Sequence, residues 1–202
     1  MKNLGMINSL AIFRFVFTII IPLNLNAEFS RERVITQNFK IYLPLIRNGY
    51  PFETNIPACR WSTYSLVYKW GVNLQNPGTN WRNAFESAVV DWNIAPVKFY
   101  FYYSSTGNVA FDTYFMQDNN QGYAVWHCND TVTTGYEAYG NTFYSHTLNG
   151  YHAAAGHETG HTQSIGHVGD PTVIALMGNN PNSEIYFTPQ QADINFVNII
   201  YP

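Results

Sequence analysis

Three histidines and a glutamate fall close together in the stretch His157-Glu158-Thr159-Gly160-His161-Thr162-Gln163-Ser164-Ile165-Gly166-His167. On an α-helix, residues four apart share a face, so His157 and His161 can offer their rings to one cation. Glu158 then stands beside that cation, where a carboxylate can take a proton from water and pass it to a leaving group. His167 lies off that face unless the helix stops soon after His161 and the chain turns back. Three protein ligands with a fourth position open describe a catalytic zinc site rather than a closed structural one. Five residues of the form His-Glu-x-x-His are a weak signal alone. With His167 six residues on and Met177 ten residues after that, the pattern becomes specific.

The elements around this stretch are legible from period and punctuation. A central helix is expected over Tyr151 to about Gln163. Gly156 and Gly160 lie one turn apart within it, at a cost of about 1 kcal/mol each relative to Ala, and imply a bare flank for close packing. Trp81 to Asn93 has Trp81, Phe85, Ala88 and Trp92 at helical spacing, with Arg82 and Glu86 paired one turn apart and Asn80 as the expected cap. Thr188-Pro189-Gln190-Gln191 reads as a capped start for a last helix whose buried face holds Ala192, Phe196, Ile199 and Ile200. Strands are expected at Ser65–Trp70, Val97–Tyr103, Val109–Tyr114 and Gly122–His127, with one more between Thr133 and Tyr144. This order gives an α/β (α+β) domain in which a twisted sheet carries two helices on one face.

Length and composition allow one such domain. The chain has 202 residues, 46% hydrophobic, 17% aromatic and only 11% charged, which suits a packed globular protein. Every Lys and Arg lies at or before Lys98, so the second half is purely acidic within a net charge of −3. That argues against phosphate-backbone recognition of nucleic acid and against a polybasic membrane contact.

Lys2, Arg14, the apolar run from Phe15 to Leu25 and the small Ala27 have the form of a signal peptide over residues 1–27. A secreted protein without stable membrane association after cleavage is therefore expected. Residues 28–60 mix charge with Pro44, Gly49, Pro51 and Pro57, and read as a pro-segment or N-terminal arm. The domain itself is expected over residues 61–202. Cys59 and Cys128, the only cysteines, are expected to form a disulfide in an oxidising compartment. The competing role for Cys59 is ligation of the zinc in a latent form.

The zinc stretch and Met177 resemble the metzincin clan of zinc endopeptidases, whose motif is His-Glu-x-x-His-x-x-Gly-x-x-His followed by a methionine turn. Within that clan the likeness is closest to the matrixins. Ala175-Leu176-Met177 is similar to their turn, Trp81-Arg82-x-Ala84-Phe85-Glu86 with Asp91-Trp92 to their first helix, and Thr188-Pro189-x-x-Ala192-Asp193 through Tyr201 to their closing helix. The resemblance implies a twisted, mostly parallel five-stranded sheet with one antiparallel edge strand lying over a cleft. It also implies hydrolysis of polypeptide substrates, with Glu158 as general base and acid and with His157, His161 and His167 on one catalytic Zn2+. By order along the chain, Gly122, Tyr123, Ala124, Val125 and Trp126 form the edge strand to which substrate adds. The chain departs from the pattern at Ser164, where the family has a turning glycine, and in having no tyrosine just after Met177.

Other readings stay open. Glu184 is an alternative third ligand, as in gluzincins, and a secreted binding protein that keeps zinc only for stability is a second alternative. His127, His146 and His152 are expected to be exposed loop residues rather than a second metal site. Asp112, Asp118, Asp130 and Asp170 are candidates for Ca2+, yet none has recognisable loop spacing, so calcium is left unassigned. A monomer is expected.

Overall fold

A computed structural model describes residues 59–170, 172–178 and 185–202, together with the backbone of two short strands, β1 (Ile46–Arg47) and β2 (Tyr50–Pro51), which pair antiparallel. The expected signal peptide, most of the expected pro-segment and Glu184 lie outside the described residues.

Five strands make the main sheet: β3 (Ser65–Trp70), β4 (Tyr100–Tyr103), β5 (Val109–Tyr114), β6 (Gly122–Asn129) and β7 (Val132–Asn141). Their order is β4-β3-β5-β7-β6. Strand β3 runs parallel to β4 and β5, β5 runs parallel to β7, and β6 lies antiparallel to β7 at the edge. This mostly parallel sheet with one antiparallel edge matches the expected arrangement. Strands β3 and β5 begin and end where β-branched and aromatic residues and the neighbouring turn residues placed them. Strand β4 is shorter than expected, because after Pro96 the Val97 N–H turns back to the Ala95 carbonyl and the ladder starts only where the Tyr100 N–H reaches Tyr64.

Helix α1 spans Asn80–Ile94. Its cap is Thr79 rather than Asn80, since Thr79 keeps extended backbone and its hydroxyl accepts the Arg82 N–H at 3.1 Å. Arg82 pairs with Glu86 at 2.7 Å, and its guanidinium also covers the Trp70 ring at 3.7 Å. The opposite face is buried on the sheet, where Phe85 stacks on Phe111 with centroids 4.8 Å apart. Such a pair adds about 0.5–1.5 kcal/mol beyond its area. Gly140 in β7 is required by the same packing, because a Cβ there would stand 2.4 Å from the Trp81 ring.

Helix α2 (Leu148–His161) lies beside α1 on that face, tied to it by the Trp92 indole N–H, which donates to the Gly156 carbonyl at 2.9 Å. Helix α3 (Gln191–Ile200) closes the domain. It starts later than the Thr188-Pro189 pair suggests: Gln190 is still extended, and its N–H is taken by the Asp193 carboxylate at 2.8 Å.

Cys59 and Cys128 form the expected disulfide. Beside it, Arg60 exchanges backbone hydrogen bonds at 2.9 Å with Thr131 and Thr133, so the start of the described domain is pinned to the β6–β7 hairpin. The pairing leaves Cys59 no thiolate to offer a metal. Among the described residues no helix is long and apolar enough to cross a membrane.

Candidate metal centre

Helix α2 brings His157 and His161 to one face. Its start, three residues earlier than the sequence implies, is set by Thr147, whose hydroxyl accepts the Gly150 N–H at 3.1 Å. Its end is a tightened turn: the N–H groups of Thr162, Gln163 and Ser164 each reach back three residues, to Thr159, Gly160 and His161.

At Ser164 the chain enters the left-handed region, with φ +59°. Glycine takes this conformation freely, whereas another residue costs about 1–3 kcal/mol unless its surroundings hold it. Ser164 is fully buried beside the Tyr201 side chain, and its hydroxyl lies 3.5 Å from the Thr133 hydroxyl. Those partners hold the turn, and the carbonyl of Ile165 comes back to accept from Nδ1 of His161 at 2.9 Å. The missing glycine therefore does not prevent the reversal that delivers His167.

The second half of the frame is the Ala175–Gly178 turn. Its Leu176 carbonyl accepts from Nδ1 of His157 at 2.8 Å, and its Met177 carbonyl accepts the Val168 N–H at 2.7 Å, next to His167. Met177 is buried against α2, and a Cβ at Gly160 would stand 2.3 Å from its sulfur. The bare glycine flank is filled at Gly160 by the side chains of Met177 and Trp92, and at Gly156 by the Leu176 side chain together with the backbone carbonyl of Phe187, which would lie 3.4 Å from a Cβ there.

A carbonyl only accepts, so both bonds place the proton on Nδ1 and leave the Nε2 lone pairs of His157 and His161 for a cation. One ligand atom each from His157, His161 and His167 lie within 4.8 Å of one another, with the Nε2 atoms of His157 and His167 3.1 Å apart. No other group of three or more candidate ligands occurs among the described residues. Burial holds the His157 ring down to about 4, against the opposing hydrogen bond to Leu176, and burial with neighbouring His157 holds His161 well below its ordinary value. Both rings are neutral, as metal ligation requires.

Glu158 follows directly. Its carboxyl is buried, Oε2 accepts no hydrogen bond among the described residues, and burial pushes its pKa up to about 8. An orphaned buried carboxylate calls for a partner, and a divalent cation with a water beside it is one that this donor set fits. Gly122, the first residue of β6, makes room for it, since a Cβ there would stand 2.8 Å from Glu158 Cγ and Oε1. Farther along the same strand, Trp126 meets the His161 ring edge-on at 5.9 Å. The expected edge residues Gly122 to Trp126 thus run past the site from Glu158 to His161.

One contributor lacked any sequence role beyond its place in the closing helix. Asp193 is fully buried, and its carboxylate accepts the N–H groups of Leu176 at 2.8 Å, Met177 at 2.9 Å and Gln190 at 2.8 Å. The available signal was an acid in the first turn of a helix. The remaining histidines correct an expectation. His127 is exposed and faces Glu137 at 3.3 Å, but it lies on β6. His152 is on α2, 2.7 Å from Asp91, and His146 packs between the rings of Trp81 and Tyr151. Asp112, Asp118 and Asp170 accept hydrogen bonds from nearby protein groups, and Asp130 occupies the β6–β7 turn at φ +52°. These four do not converge.

Compared with known proteins, no family model matches the chain, and no curated protein matches it significantly.

Proposed function

We propose that the chain is a secreted zinc-dependent endopeptidase of the metzincin kind, most like the matrixin catalytic domain. One observation carries the reading: three histidine ligand atoms converge within 4.8 Å beside a buried glutamate whose Oε2 has no hydrogen-bond partner among the described residues. A purely structural site has no use for that glutamate. Zinc, when bound by His157, His161 and His167, supplies a Lewis acid for the scissile carbonyl and brings the pKa of a coordinated water to about 7. Glu158 takes the proton of the attacking water and passes it to the leaving amine. Among the described residues strand β6 has β7 on one side only, and its other edge accepts an extended polypeptide by main-chain hydrogen bonds. The disulfide agrees with an oxidising compartment and so with export.

The test is metal content together with hydrolysis of unfolded casein by wild type, Glu158→Ala and His167→Ala. The expected result is one zinc per chain and casein cleavage in wild type, zinc without cleavage in Glu158→Ala, and loss of zinc in His167→Ala. Zinc bound by an inert wild type would favour a binding protein, and zinc retained by His167→Ala would move the third ligand elsewhere.

A further inference from the structure

Tyr136 in β7 is fully buried, and its phenol oxygen has no hydrogen-bond partner among the described residues. A buried hydroxyl left unpaired forfeits the hydrogen bonds it had in water, so a native one calls for an explanation. Its place in the sheet says where the oxygen is carried. Side chains two apart on a strand share a face, and Gly140, four residues on, meets Trp81 of α1, so Tyr136 stands on the face that the helices cover. Trp126 of β6 is its direct partner in the antiparallel ladder, with the two rings edge-on at 5.3 Å. The same indole meets the His161 ring at 5.9 Å. Tyr136 therefore faces α2 near the second candidate ligand.

Glu158 lies three residues before His161, one turn along the helix that packs against β6 and β7. Its two oxygens are unlike. Oε1 is the one that a Cβ at Gly122 would meet at 2.8 Å, whereas Oε2 is buried with no hydrogen-bond partner among the described residues. Burial and the nearby Glu158 carboxylate both hold the Tyr136 phenol well above its ordinary pKa, and among the described residues no other charged group acts on it. The proton stays on the oxygen, so an unpaired donor stands close to an unpaired acceptor. The gap between them exceeds a direct hydrogen bond, and one water spans such a gap. Trp126 adds a second donor, because its indole N–H is also buried and unpaired among the described residues. A buried water makes about three hydrogen bonds, the number these three groups call for. A carboxylate has about four acceptor sites, so a water on the metal leaves room for this one.

We propose that Tyr136 is a positioning residue for Glu158: its phenol O–H and the indole N–H of Trp126 hold one buried water, which donates to Oε2 and fixes the plane of the carboxylate. Oε1 is thereby kept toward Gly122 on the edge strand, and the base need not be oriented anew in each turnover. The word base rests on the endopeptidase reading, and the hydrogen-bonded link from Tyr136 to Glu158 does not.

Tyr136→Phe removes the oxygen alone and keeps the ring that packs on Trp126. Full-length protein is unfolded in urea at fixed free zinc, as wild type, Tyr136→Phe, Glu158→Leu and the double variant. Glu158→Met takes the place of Glu158→Leu should the latter not fold. With the link present, Tyr136→Phe raises the unfolding constant at least about fivefold beside Glu158 and less than about twofold in the Glu158→Leu background. Equal effects in the two backgrounds overturn the link, because a phenol that serves only packing acts alike in both. Kinetics give the second readout: Tyr136→Phe should lower kcat on casein about tenfold, with KM within about twofold and one zinc per chain retained. A kcat within about twofold of a casein-cleaving wild type overturns the positioning role. Coupling in a wild type that binds zinc and cleaves nothing sinks the endopeptidase reading alone, and cleavage with equal effects in both backgrounds sinks only the link.

Discussion

The carbonyl oxygen of Leu176 accepts the Nδ1 proton of His157 at 2.8 Å, so the orientation of a candidate metal ligand is set by a turn nineteen residues away. That turn is held in place by Asp193, which takes the N–H groups of both Leu176 and Met177.

Asp193→Ala should therefore weaken the metal site without touching it. Three N–H groups lose their acceptor, two of them in the buried turn, at about 1–3 kcal/mol for each group left unpaired. The expected loss is about 3 kcal/mol of stability and 10- to 100-fold in zinc affinity, as for other residues that orient metal ligands. Urea unfolding and competition with a chelator read the two effects. Unchanged zinc affinity in a destabilised variant would confine Asp193 to holding α3.

How far the sequence reached can be judged from this pair. His157 and His161 were legible because helical spacing alone puts them on one face, and β3 and β5 because runs of β-branched and aromatic residues stop at turn residues. Asp193 was not, because its partners at 176 and 177 lie across a reversal that no periodicity encodes. Caps missed by one or two residues for a related reason: Thr79 and Asn80 are both good caps, and Thr188 is a better cap by type than the Gln190 that takes the place. The choice between them is made by where the chain leaves extended conformation. Gly140 gave no hint of Trp81, since a strand glycine looks the same whether it faces an indole or water.

Gly156 and Gly160 should separate cleanly. Alanine at 160 would put a methyl 2.3 Å from the Met177 sulfur and 2.9 Å from the Trp92 ring, whereas at 156 its nearest neighbour is a Leu176 methyl at 3.1 Å. Overpacking of the first kind costs about 1–3 kcal/mol, against about 1 kcal/mol gained in helix propensity at either position. Gly160→Ala is expected to lower thermal stability and shift Met177, and Gly156→Ala to fall within about 1 kcal/mol of wild type. Equal melting temperatures for the two variants would contradict the packing argument.

Ser164 offers a test of what replaces a turning glycine. Ser164→Gly removes about 1–3 kcal/mol of left-handed strain but loses the hydroxyl that meets Tyr201 and Thr133, and the gain and loss are of similar size. Ser164→Ala loses the same hydroxyl and keeps the strain. The alanine variant should therefore be less stable than the glycine variant by about 2 kcal/mol, measured by urea unfolding. Alanine matching glycine would mean that the turn relaxes without the left-handed residue.

In the metal-free protein, pH dependence should be bounded by the site itself. Glu158 has a folded value of about 8, raised by burial from the ordinary 4.5. Between these values the folded state holds a proton that the unfolded chain has released, so stability present below about 4.5 is lost as pH rises through 8. His157 acts in the opposite sense: burial lowers it from 6.5 to about 4, the unfolded chain binds the extra proton, and stability falls as pH drops from 6.5 toward 4. His161 shifts in the same direction. Below 6.5 the two histidines outweigh the glutamate, and above 6.5 only the glutamate still titrates, so the maximum lies near pH 6.5. The alkaline loss is about 1.4 kcal/mol per pH unit. Urea unfolding of chelator-treated protein at pH 5, 6.5 and 8 should show this maximum, and Glu158→Gln should remove the fall between 6.5 and 8 while keeping the acid limb. Superimposed curves for the two proteins above pH 6.5 would show that Glu158 is ionised in the folded, metal-free state, and that its buried oxygen has found a partner.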